Sequence, residues 1–160
     1  MSRIVVFVND DMKVRLVTED DGLRVLRGTL FNIPTVEAMC AMVRDVIETL
    51  KTIPDRVAIF FKSKCQDEMP LTLQHLSCIA RLLAEHKSVI KEKVWGTRFL
   101  LVATPNTLFQ AALNMFHALY TPVRPLLISA DLEECLKFEA SIRKQFVNKS
   151  TVVASSDPTS

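Results

Sequence analysis

Glycine is almost missing from this sequence. Of 160 residues only three are glycine, Gly22, Gly28 and Gly96, and they stand far apart. Phosphate-cradling loops need several glycines close together, because the backbone itself must approach the anion. Neither GxGxxG nor GxxxxGK followed by Ser or Thr occurs, which excludes both common nucleotide motifs. Aromatic side chains are also few, with one Trp and one Tyr in a 7% aromatic total, too few for a base-stacking platform. Charge of one sign is lacking as well. Twenty Lys and Arg stand against eighteen Asp and Glu, a formal charge of +2, and no basic stripe interleaved with aromatics is visible along the chain. DNA and RNA are therefore not expected as partners. No apolar run approaches the ~20 residues of a membrane helix, and Ile4 to Val8 is too short for the core of an export signal. The expectation is a cytoplasmic protein without membrane insertion.

Metal and nucleophile chemistry find little support. The four cysteines, Cys40, Cys65, Cys78 and Cys135, form no CxxC pair and follow no zinc spacing. Without an export signal they are expected to be reduced, Cys40 buried on a helix and Cys65 exposed in a loop. His75, His86 and His117 fall on predicted helices, and none pairs with another at the i, i+4 spacing of a helical metal site. His75 and Cys78 stand i, i+3, a pair that holds a metal only where further ligands converge. Nothing brings a cysteine, a histidine and an orienting group together for covalent catalysis. No cofactor, no metal and no enzymatic activity are expected.

What is present is a pattern. The chain is 49% hydrophobic and 24% charged, ordinary for a globular domain large enough to bury a core. Ile4 to Val8 is rich in β-branched residues, and Met12 to Thr18 alternates apolar with basic, as a half-buried strand does. Asp21-Gly22 marks a hairpin turn before a third strand over Leu23 to Leu30. From residue 35 the period becomes helical: Val36, Met39, Cys40, Val43, Val46, Ile47 and Leu50 form one face. Val57 to Phe61 is a continuous apolar run suited to a central strand. A second helix, capped near Thr72 with Leu73, Leu76, Ile79, Ala80 and Leu83 inward, is expected to extend to about Lys93. A strand over 98–103, a helix over 106–120 and a strand over 126–129 follow. The last helix starts at Asp131, with Glu134 in capping-box relation. The order β-β-β-α-β-α-β-α-β-α predicts an α/β fold: a mixed sheet with an antiparallel meander in front, then βα units with helices packed on the sheet.

This order over residues 3 to 146 resembles the STAS and SpoIIAA-like domains, which include bacterial anti-sigma-factor antagonists. The likeness is closest in the C-terminal third, through the helix NTLFQAALNMFHALY, a Pro-containing turn, a short strand and DLEECLKF. The same stretch is similar to the architecturally related lipid-binding CRAL-TRIO fold. The resemblance implies a single STAS-like domain over 1–147, with 148–160 a flexible Ser/Thr-rich tail. Signalling STAS proteins carry a phosphorylatable Ser or Thr in an Asp-Ser motif with a nearby Gly. The corresponding segment here, SKCQDEMPLT, does not retain it.

Two loops are candidate sites. The first supplies Ser63, Cys65, Gln66, Asp67, Glu68 and Thr72, and is the better place for contacts with another protein because it is long and polar. The second is the helix start at Thr104, Asn106 and Thr107, where unpaired N–H groups favour an anion, although capping explains the same residues. Lys87, Lys91, Lys93 and Arg98 form a basic cluster that reads first as a solvated helix end. Phe109, Met115, Phe116 and Leu119 either line an apolar cavity or are simply core. The expected function is a non-catalytic protein-interaction or scaffold domain, within a larger complex. The alternative is a module for a lipid or small apolar molecule, which requires a pocket of several hundred Å³ beside the 106–120 helix.

Overall fold

Alternating side chains build the first three strands. The computed structural model describes residues 3–65, 71–102 and 106–155, with side chains through 149. Strands β1 (Arg3–Val8), β2 (Met12–Thr18) and β3 (Arg24–Leu30) pair antiparallel in sequence. Met12, Val14 and Leu16 are buried while Lys13 between them is exposed, the two-residue period of a pleated strand. Asn9 Oδ1 accepts from the Asp11 and Met12 N–H groups at 2.8 Å, closing the first turn as an Asx turn. Gly22, at φ +90°, supplies the left-handed residue of the second.

The chain then alternates strand and helix. Helix α1 (Val36–Thr52) leads to β4 (Val57–Ser63), α2 (Leu73–Glu85) and the short α3 (Lys87–Lys93). There follow β5 (Val94–Leu100), α4 (Thr107–Leu119), β6 (Leu126–Ser129) and α5 (Leu132–Ser155). One six-stranded sheet results, in the order β1-β2-β3-β4-β5-β6, with β3 to β6 parallel. This is the mixed α/β sheet that the periodicities predict.

Boundaries differ in instructive places. The expected second helix breaks at His86, where φ is −120° and ψ 31°. Unbroken, the helix would carry its last seven residues about 10 Å further along its own axis; the break sets α3 against α1 and buries Ile90. Strand β5 begins at Val94 rather than Arg98, because Val57 at the start of β4 offers Val94 a parallel partner. Leu73, expected to face inward, stands at the first position of α2 and is 36% exposed. Helix α5 runs to Ser155, past residue 148 where the tail was expected to begin. Its cap is Asp131, whose Oδ1 accepts from the Glu133 and Glu134 N–H groups. Glu134 does not reach back to it but accepts from the Ser129 hydroxyl at 2.8 Å.

The two sheet faces are unequally covered. Helices α1, α2 and α4 pack side by side on one face over the main core. The other face is met by α5, whose Ile142, Phe138 and Phe146 pack on Leu23, Val25, Ala58, Phe60 and Trp95. Six strands at ~4.8 Å span ~24 Å, more than one helix ~10 Å wide can cover. The outer part of this face therefore stays open, and Val5 and Val8 on β1 are 57% and 61% exposed. Gly96 lets α5 approach: a Cβ there would lie 2.6 Å from Ile142 Cδ1 and 3.1 Å from Phe138 Cζ. Gly96→Ala is expected to cost about 1–3 kcal/mol through overpacking. Urea unfolding checks this, and an unchanged midpoint contradicts the close approach.

One covalent link was not expected. Cys40 on α1 and Cys78 on α2 form a disulfide, with Cα atoms 6.4 Å apart, which corrects the expectation that all four thiols are reduced. Both cysteines are buried on the helix faces that meet each other. Their 38-residue separation escapes any search for short cysteine spacings. Cys65, expected in solvent, is 4% exposed. Cys135 is buried too, and burial pushes its thiol up despite the nearby Arg98, which keeps it protonated and a poor nucleophile.

Candidate functional site

Loops at the C-terminal ends of parallel strands are the usual ligand sites of α/β sheets, at a point where the strand order reverses. Here the order never reverses, and every crossover from β3 to β6 lies on the same face. No switch-point crevice forms. Those of the anticipated loop residues that the structure describes do local work. The Ser63 hydroxyl accepts from the Cys65 N–H at 3.1 Å, and both residues are buried. Thr72 caps α2, its Oγ1 accepting from the His75 N–H at 3.4 Å. Gln66, Asp67 and Glu68 lie outside the described residues, as does Thr104.

His75 completes a buried hydrogen-bond lock. Its Nδ1 accepts from the Thr72 N–H at 3.1 Å, which makes Nε2 the protonated nitrogen, and that N–H donates to the Pro34 carbonyl at 2.6 Å. The ring thus ties the start of α2 to the connection before α1. Both nitrogens are used, and Cys78 is in the disulfide, so this pair is not a metal site. At the second loop Asn106 Oδ1 accepts from the Phe109 N–H at 2.8 Å, capping α4, while Thr107 is its exposed first residue. The cap accounts for Asn106.

The basic cluster read along the sequence comes apart in space. Arg98 is 7% exposed and lies under α5. There it pairs with Glu139, donates to the Phe61 carbonyl at 2.8 Å and lies 5.1 Å from the Phe60 ring centroid. Lys93 turns to the end of α1, donating to the Ile53 carbonyl at 2.6 Å. Among the described residues no group of three or more His, Cys, Asp or Glu side chains could hold a metal ion. No described helix is long and apolar enough to cross a membrane.

The feature that stands out lies between the sheet and the three-helix layer. A cavity of about 170 Å³ opens there, lined from the helices by Met39, Met42, Ile79, Phe109, Leu113 and Phe116, and from the sheet by Met12, Phe61 and Phe99. Of the four residues anticipated beside the last crossover helix, Phe109 and Phe116 line it. Met115 and Leu119 point away and are 51% and 56% exposed. Tyr120 and Arg124 are the titratable residues of the lining, and no carboxylate is among them. Burial pushes the Tyr120 phenol up, outweighing a backbone hydrogen bond at Val123 that lowers it. The phenol is therefore neutral at ordinary pH. Burial, and then the field of Arg56, lower Arg124 from its usual value. Such a lining holds apolar matter by dispersion and exclusion of water; it offers no acid–base pair.

No family model, no curated protein and no solved structure matches the chain.

Proposed function

We propose that this chain is a binding domain for a small apolar molecule, held between the sheet and helices α1, α2 and α4. The observation that carries the reading is the apolar cavity of about 170 Å³ beside α4. An apolar cavity of ~150 Å³ stays dry and takes up benzene, so this space suits a ligand of that order. The cavity is smaller than the several hundred Å³ that a lipid module calls for, and a long acyl chain does not fit it. Three methionines in the lining, Met12, Met39 and Met42, give walls that adapt to different shapes. The similarity of the C-terminal third to the lipid-binding CRAL-TRIO fold points the same way.

Thermal unfolding with benzene, indole and octane tests the reading. A ligand present at ~100 times its Kd adds about 2.7 kcal/mol to stability, expected as a rise of about 5–10 °C in a chain of this length. Leu113→Trp, which fills the cavity, is expected to abolish that rise. Equal responses in both proteins, or none in the wild type, reject the proposal.

The interaction reading retains one specific support. Leu108, Met115 and Leu119 stand on one stripe of α4 at i, i+7 and i+11, and are 64%, 51% and 56% exposed. A clustered apolar stripe of this kind marks contact surfaces. Native purification separates the two readings: a stoichiometric extractable small molecule favours the cavity, and a co-eluting protein favours the stripe.

A further inference from the structure

The parallel strands share a feature at their entries. Arg24 is the first residue of β3, Arg56 precedes β4, Lys93 precedes β5, and Arg124 stands two residues before β6. Register sets them side by side, because Val57 pairs with both Arg24 and Val94. A groove of about 610 Å³ opens at this end of the sheet. Its cations are Arg24, Arg56, Lys93 and Lys149, against Asp55 and Glu92. That is two more positive than negative groups in one concave space.

Part of this charge serves helix ends. Arg56 Nε donates to the Glu92 carbonyl at 2.9 Å, Arg124 Nε to the Lys91 carbonyl at 2.8 Å and Lys93 Nζ to the Ile53 carbonyl at 2.6 Å. Cations are favoured at helix C-termini. These acceptors are neutral carbonyls, however, so they hold the cations in place without neutralising them. Among the described residues Arg24 and Lys149 cap no helix end, and none of the groove's four cations forms an ion pair. Arg56 and Lys149 lie 5.3 and 5.5 Å from the Trp95 ring centroid, within cation–π range. Trp95 itself is 8% exposed, lines the groove, and its indole N–H is buried without a hydrogen-bond partner among the described residues. A buried unpaired donor is rare enough to point to a missing partner. The field of Arg56 acting on Arg124 reflects the same crowding of like charge.

We infer that this groove is a binding site for a soluble phosphate-bearing small molecule, seated on Arg24, Arg56 and Lys149 beside the Trp95 indole. A phosphate monoester carries the charge that offsets the groove's excess, and its oxygens match guanidinium forks better than a single carboxylate does. The volume lies within the range of small-molecule pockets and leaves room for the organic part.

Trp95 is the one tryptophan of the chain, so its fluorescence reports on this site directly. Titration with inorganic pyrophosphate at constant ionic strength is expected to give a saturable change. Arg24→Gln is expected to weaken the apparent affinity about tenfold, since a hydrogen bond to a charged group is worth that much. The Arg24 side chain forms no hydrogen bond or ion pair with a described residue, so the variant separates binding from folding; an unchanged melting temperature verifies this. Lys13→Gln, at an exposed position of β2, is expected to bind as the wild type does. No saturable change, or equal weakening in both variants, overturns the inference. A response to vesicles containing phosphatidic acid, with none to pyrophosphate, overturns it in favour of a membrane surface.

Discussion

Reducing the Cys40–Cys78 disulfide is expected to lower the melting temperature by about 8–16 °C. The bond closes a loop of 38 residues, and chain-entropy arguments put the loss at about 4 kcal/mol. In a chain of this length each kcal/mol is worth about 2–4 °C. The link joins α1 to α2, both of which line the cavity, so reduction is also expected to weaken uptake of an apolar ligand. Thiol counting in denaturant provides the direct check. Without reductant two thiols are expected, those of Cys65 and Cys135, and four after reduction. Four thiols from the start would remove the bond from consideration. The Cys40→Ser/Cys78→Ser variant is then expected to melt where the reduced wild type does.

Much of the fold was legible because each element carries a local period. The alternation Met12, Val14, Leu16 and the helical stripe from Val36 to Leu50 each settle one element without tertiary knowledge. What was not legible depends on neighbours. Val94 joins β5 because Val57 is there to pair with it, and helix propensity alone gives no reason to stop at His86. The cysteines are similar, since two buried helix faces must meet before Cys40 finds Cys78.

The sites were less legible than the fold. Residues chosen for their polarity, Ser63, Thr72 and Asn106, turned out to close turns and cap helices. Polarity in a loop reflects backbone satisfaction before it reflects ligands. The cavity left no polar signal, since it is a deficit of packing among residues that read as core. The strand entries did leave one. LRVL, DRVA, EKVW and VRPL each place a basic residue just before an apolar run, and parallel register turns that repetition into one patch. The linear cluster Lys87, Lys91, Lys93, Arg98 is no single patch, because Lys93 reaches the end of α1 while Arg98 lies buried against Glu139 of α5.

Removing Glu139 is expected to be among the most damaging single changes on α5. Glu139 pairs with Arg98, their side chains being 19% and 8% exposed. The guanidinium is further fixed by the Phe61 carbonyl and the Phe60 ring, yet its Nε has no partner among the described residues. Such a charge is tolerable only while its counter-ion stays. Glu139→Ala leaves Arg98 buried and unpaired, and breaking a buried pair from one side costs about 3 kcal/mol or more. Arg98→Met/Glu139→Leu, which removes both charges and keeps the volume, is expected to recover most of that loss. Denaturant unfolding of both variants distinguishes the causes, since a double variant as unstable as the single one would assign the loss to packing. One helical turn further on, Arg143 ties α5 to the β2–β3 turn through Asp21 at 2.8 Å and Glu19 at 3.3 Å. Burial acts to raise the Asp21 carboxyl, but the Leu23 N–H and Arg143 outweigh it and hold it below its ordinary value of 3.8. With the folded pKa depressed, this second clamp is intact above the unfolded value and fades as pH falls through the folded one. In acid, Glu139→Ala therefore loses both attachments, and release of α5, followed by limited proteolysis, is expected at a higher pH than in the wild type.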